Sequence, residues 1–193
     1  MCNPHFTRGT SYTEHLTRPT SLDTLLFAVD RLTALDADLV ALAAASQYAP
    51  VMTRLGCLRG VSTITAYGLA TEIGDWQRFT GRSIGAYLGL VPSEHSSGQS
   101  RSQGGLTRTG NQHARRLLIE AAWQHLKPYR RSKELTARMH AAGPTAAARG
   151  HEGNRRLHRR WQAFETRGKN RNRANAAIAR ELAGWCWSLA TIN

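Results

Sequence analysis

Apolar residues in this chain recur at intervals of three and four, and no stretch alternates β-branched with polar residues over the length of a strand. That period is the repeat of one helix face, and it confines the fold to helices packed on helices. The longest run is Leu22, Leu25, Val29, Leu32, Leu39 and Leu42, a 3-4-3-7-3 spacing that makes a heptad seam with Asp36 at the missing position. Thr20 or Ser21 is the expected N-cap of this helix, which runs to about Ser46. So narrow a seam serves either packing inside its own fold or pairing with a second copy of the chain.

Punctuation divides the rest. Pro50 opens a short helix with Val51, Met52, Leu55 and Leu58 on one face, and Arg59-Gly60-Val61-Ser62 makes a tight turn. A helix over 63–73 follows, with Gly74 as its C′ residue. Two short helices joined by a glycine turn read either as a helix-hairpin-helix or as a plain αα-hairpin. In the first case Gly60 and Ser62 frame amides that hold a phosphate; in the second no ligand is involved. Thr80 or Ser83 starts another helix that Pro92 ends, and a further one spans 111–126 up to the break at Pro128. Residues 129–150 hold a weak helix followed by Ala-Gly-Pro-Thr. Leu157, Trp161 and Phe164 mark a helix closed by Gly168, and a last helix covers 173–191. The tryptophans at helical spacing are expected in the core. The expected architecture is all-α: a loose arm over 1–20, a linker or coiled-coil helix over 21–48, and a helical domain over 49–193 interrupted by one long loop.

That loop, residues 88–111, holds five serines, five glycines, two arginines and a histidine. Glycines let a backbone approach a ligand closely, and guanidinium forks match phosphate oxygens. Charge concentrates in the same half of the chain. Residues 1–100 hold seven Lys/Arg and eight Asp/Glu, a net of −1, whereas residues 101–173 hold eighteen and four, a net of +14. Such asymmetry points to a polyanion. Arg101, Arg108, Arg115, Arg116, Arg155 and Arg156, with Arg159 and Arg160, are expected to line one groove.

A free serine hydroxyl is a weak nucleophile that needs a base or a strongly electropositive setting, and Ser93, Ser96, Ser97, Ser100 and Ser102 all lie in the arginine-bearing loop. The acids are mostly single, so no metal site is expected. Cys2, Cys57 and Cys186 form no CxxC pair and are expected as reduced thiols, the last two buried. No stretch is apolar enough to span a membrane and the N-terminus lacks a signal-peptide pattern, so a cytoplasmic location is expected.

Several segments resemble, in order, the C-terminal domain of the insertion-sequence 110 (116/110/902) transposase family. They are Leu58-Arg59-Gly60-Val61, Glu72-Ile73-Gly74-Asp75, Tyr87-Leu88-Gly89-Leu90-Val91-Pro92-Ser93-Glu94, Ser96-Ser97-Gly98, Gly105-Leu106-Thr107-Arg108-Thr109-Gly110-Asn111, Arg115-Arg116-Leu117-Leu118-Ile119-Glu120, and 177–184 near the end. The resemblance covers about residues 22–190. It implies a DNA recombinase whose serine attacks DNA and becomes covalently linked to it. It places that nucleophile at Ser97, with Ser96 the alternative, and makes Arg101, Arg108 and Asn111 DNA contacts. It further implies a separate RuvC-like domain that holds Mg²⁺, with no cofactor in the segment at hand, a guide RNA in some members, and action on the bacterial nucleoid. Nothing before residue 22 can form such a sheet domain, so the expectation is a C-terminal domain or truncated copy, or else a non-catalytic DNA- or RNA-binding remnant. A homo-oligomer is expected through the 21–48 helix.

Overall fold

The computed structural model describes residues 20–94 and 103–192. They fall into two units, one up to Ala37 and one from Asp38 onward. Helix α1 spans Ser21–Ala44. It opens on a reciprocal capping pair: the Thr20 amide donates to the Asp23 carboxylate at 3.0 Å and the Asp23 amide donates to Thr20 Oγ1 at 3.2 Å. The Thr20 hydroxyl, which also donates to this carboxylate, and then the Thr20 amide hold the Asp23 carboxyl below its ordinary value. Leu22, Leu25, Val29 and Leu32 are all exposed, as is Phe27 at 73%.

In the second unit the order is α2 (Ala49–Leu55), α3 (Thr63–Ile73), α4 (Ser83–Tyr87), β1 (Pro92–Glu94), β2 (Gln103–Leu106), α5 (Gln112–Ala122), α6 (Lys133–Ala141), α7 (Pro144–Thr166) and α8 (Arg171–Ala190). A single 3-10 turn, Trp123–His125, extends α5. Among the described residues the architecture is all-α apart from one two-stranded hairpin. Helix α8 is its axle, packed against α7, α5, α2 and α4. Ala174, Ile178, Leu182, Trp185 and Leu189 supply the buried face, as their spacing requires. Trp161 lies fully buried opposite them and its indole N–H donates to the Ala122 carbonyl at 3.3 Å. Burying one such side chain stabilises the fold by roughly 1.5–3 kcal/mol. Cys57 and Cys186 are free and buried, and burial pushes their thiols up to about 11 and about 12. Among the described residues no helix is long and apolar enough to cross a membrane.

Local chemistry explains where the boundaries moved. Helix α7 begins at Pro144, well ahead of the expected Leu157–Phe164 segment. Gly143 takes φ +85° and Pro144 occupies the first turn, where its missing N–H leaves nothing unsatisfied. Helix α4 is one short piece ending at Tyr87, after which Leu90 returns its amide to the Gly85 carbonyl. Part of the serine-rich loop is paired as a hairpin. Its strands, Pro-Ser-Glu and Gln-Gly-Gly-Leu, lack the β-branched residues that mark a strand.

Close packing fixes the turn between α2 and α3. A β-carbon on Gly150 of α7 would stand 2.4 Å from Cys57 Cβ, and Gly153 packs on the Trp185 ring. Asn154, fully buried beside them, accepts the Arg59 amide and donates to the Cys57 carbonyl, each at 2.9 Å. Two backbone groups that would otherwise be buried unpaired are thereby satisfied.

Candidate nucleic-acid interface

The β1–β2 hairpin leaves the helical body from a tightly clasped base. Gly89 and Gly110 both have positive φ, and a β-carbon on either would overlap the opposite leg, at Thr109 and Tyr87 respectively. Arg115 spans the gap: one Nη1 donates to the Leu88 carbonyl at 3.0 Å and to the Thr109 carbonyl at 3.1 Å. Above it, the Thr107 amide donates to the Val91 carbonyl and the Arg108 amide to the Gly89 carbonyl. The strands then pair antiparallel, Pro92 opposite Leu106 and Glu94 opposite Gln103, with a register shift between. Ser93 Oγ donates to the Gly105 carbonyl. Ser96, Ser97 and Arg101 lie outside the described residues.

Several residues expected at DNA have structural work of their own. Asn111 caps α5 by accepting the Ala114 amide, and it donates to the Glu72 carboxylate at 2.6 Å. His113 Nδ1 meets the other Glu72 oxygen at 2.7 Å. Bonds from Asn111, then from His113, hold the Glu72 carboxyl below its ordinary value. Gly60 is pressed against the end of α5. Ser62 caps α3 by accepting the Thr65 amide, and the Arg59 amide in this turn is already given to Asn154. Arg59 also donates through its guanidinium to the carbonyls of Gln124, Lys127 and Pro128. Arg116 pairs with Glu120 one turn on, an exposed contact that contributes little to stability.

The arginines of α7 separate onto two surfaces. Arg156 and Arg160 both reach Glu181 of α8, at 2.6 and 3.0 Å. Arg155 and Arg159 line a different concavity with Arg131, His151 and His158. Arg108 is exposed, holds φ +55°, and its side chain pairs with no described residue. Among the described residues, the expected arginines therefore do not share a single groove. Cations that the sequence reading did not single out, Lys169, Arg173 and Arg180, stand instead beside the base of the hairpin. Their signal was available: Arg173, Ala177 and Arg180 fall on one face of α8. Among the described residues no three carboxylate, imidazole or thiol groups converge as a metal ion requires.

Residues 52–138, from α2 into α6, match the family described as "Transposase IS116/IS110/IS902 family". A "Putative transposase y4qE" from Sinorhizobium fredii is 38% identical over 143 residues, which cover 74% of this chain and 37% of that protein. A "Probable family 20 transposase" from Pseudomonas aeruginosa is 40% identical over 70 residues, 36% of this chain and 21% of that protein. The "Transposase for insertion sequence element IS1111A" of Coxiella burnetii is 28% identical over 142 residues, 72% of this chain and 32% of that protein. The chain thus spans about a third of the length of the relatives with the longest matches.

Proposed function

This chain belongs to the IS116/IS110/IS902 transposase family, and on that footing we propose that it binds insertion-sequence DNA and supplies the serine nucleophile for strand cleavage and exchange. The observation that carries the proposal is the clasped hairpin. Gly89, Gly110 and Arg115 anchor both ends of the segment that contains Ser96 and Ser97, beside the cations Lys169, Arg173 and Arg180. A nucleophile gains from such anchoring because its approach to the reacting atom is set in advance.

In the proposed step Ser97 Oγ attacks a backbone phosphorus. The bond from phosphorus to one sugar oxygen breaks, that oxygen leaves as a hydroxyl after taking a proton, and the serine proton passes to solvent or a neighbouring base. One phosphate ester replaces another, so the bond energy is kept for rejoining. Guanidinium groups around the phosphate offset the charge that builds on its oxygens. Mg²⁺ belongs to the RuvC-like domain of the full-length relatives in this reading, and the exposed seam of α1 pairs with a second copy. A guide RNA from the element would direct the target, and the reaction takes place on the nucleoid in the bacterial cytoplasm.

The test is covalent capture. The chain is incubated with DNA carrying cognate element ends, alone and together with a full-length relative, and the products are run under denaturing conditions. A protein–DNA adduct that persists in Ser96→Ala and disappears in Ser97→Ala is the expected result. Retention of the adduct by Ser97→Ala in a competent assembly overturns the nucleophile assignment. Binding without any adduct favours the second reading, a non-catalytic nucleic-acid-binding remnant.

A further inference from the structure

Two concavities meet on one face of α8. One, of about 610 Å³, lies against the base of the hairpin and is lined by Leu90, Pro92 and Leu106 together with Lys169, Arg173 and Arg180. The other lies between α8 and α7 and holds Arg82, Arg149, Arg156 and Arg160 with a single carboxylate, Glu181. Ala177 and Arg180 line both, so the two adjoin as a trough along this side of the helix.

The spacing along α8 accounts for it. Arg173, Ala177, Arg180, Gly184 and Ser188 follow one another at intervals of four, three, four and four, which keeps them on one side of the helix. Small residues keep that side shallow: a β-carbon on Gly184 would come to 3.1 Å from the Gly81 carbonyl oxygen. From Arg173 to Ser188 the helix rises ~22 Å, which is the rise of about six nucleotides of a duplex strand.

Charge in the trough is unbalanced. Glu181 serves both Arg156 and Arg160. Arg82, Arg173 and Arg180 have no ion-pair partner among the described residues. Arg180 rests its stem on Gly85, where a β-carbon would meet its Cγ at 3.0 Å. Lys169 places its ammonium 4.3 Å from the centre of the Phe164 ring. Free guanidinium forks beside an apolar lining match the two halves of a nucleotide strand, phosphate and sugar.

We propose that this trough on α8 seats the backbone of a DNA strand and leads it to the hairpin, with Arg173 and Arg180 as its main phosphate contacts. The inference rests on the reading that the chain binds DNA, and it names where.

The experiment measures fluorescence anisotropy of short labelled DNA, single-stranded and duplex, and of RNA of the same sequence, across a salt series. The full chain is compared with Arg173→Gln/Arg180→Gln and with Arg155→Gln/Arg159→Gln, each checked for folding by its circular dichroism melt. We expect the first pair to weaken DNA binding about tenfold or more. Its plot of log affinity against log salt should flatten by about 1.4 for single strands and about 1.8 for duplex, as the loss of two phosphate contacts requires. Unchanged affinity and slope in that pair, with the loss carried by Arg155→Gln/Arg159→Gln, overturns the trough and leaves DNA binding standing. Binding of RNA alone overturns it as well. If the native chain binds none of the probes, the reading that it binds DNA is what fails.

Discussion

Gly60 sits so close to Ala121 that a β-carbon on the glycine would stand 2.4 Å from the alanine carbonyl oxygen. The α2–α3 turn thus lays bare backbone on the end of α5, at a φ of +78° that L side chains rarely adopt. Gly60→Ala should therefore cost about 3 kcal/mol, from backbone strain and overpacking together. Urea unfolding measures it. A loss below about 1 kcal/mol would mean that α5 yields easily at this point.

Asn154→Ala should destabilise by about 2–4 kcal/mol, because it leaves the Arg59 amide and the Cys57 carbonyl without their partner. Asn154→Leu should be no better, since filling the space leaves both groups unpaired. Rescue of stability by leucine would show that packing, not hydrogen bonding, is what Asn154 provides.

His125 is fully buried, and neither ring nitrogen has a hydrogen-bond partner among the described residues. Burial, with the nearby Arg59 charge adding to it, pushes the imidazole down to about 3. The unfolded chain carries it near 6.5, so the unfolded state takes up the proton first. Its contribution is complete above about pH 6.5 and is lost as pH falls from there toward 3. By about pH 5 the loss is about 2 kcal/mol, and His125→Leu should abolish that part of the slope while keeping stability at neutral pH. Urea titrations of both proteins across this range decide it; parallel declines would refute the assignment.

Leu25 and Leu32 are more than half exposed on α1. If the seam pairs two copies, Leu25→Lys with Leu32→Lys should convert a dimer to a monomer in sedimentation velocity while helicity is kept. A native chain that sediments as a monomer removes the dimer from the proposed function.

The sequence shows most of the helices because their ends carry chemistry that needs no tertiary partner. Gly74 closes α3 at φ +64° and Asn111 caps α5, both readable from residue type and position. The α7 start is equally written, in Gly143-Pro144, yet the alanine-rich turn after it carries little apolar signal. The hairpin was hidden because its strands are held by the Gly89–Thr109 and Tyr87–Gly110 approaches, between residues about twenty apart, and not by strand-forming side chains. Counting arginines located the basic half of the chain but not its surfaces. Arg115 turned inward to backbone carbonyls and Glu181 claimed two others, whereas Arg173 and Arg180 became neighbours of the hairpin only through helix packing.

Helix α7 has Gly150 and Gly153 in its middle, and each glycine costs an isolated helix about 1 kcal/mol relative to alanine. Such a segment gains little from coiling in water by itself; what makes it worth forming is the fit of Cys57 and Trp185 into the spaces those glycines leave. Its receptor, in turn, has Asn154 as the acceptor for one of its amides. Scaffold and guest are consequently one cooperative unit, and the amides of residues 57–60 and 150–157 should surrender to deuterium together, at a single opening free energy.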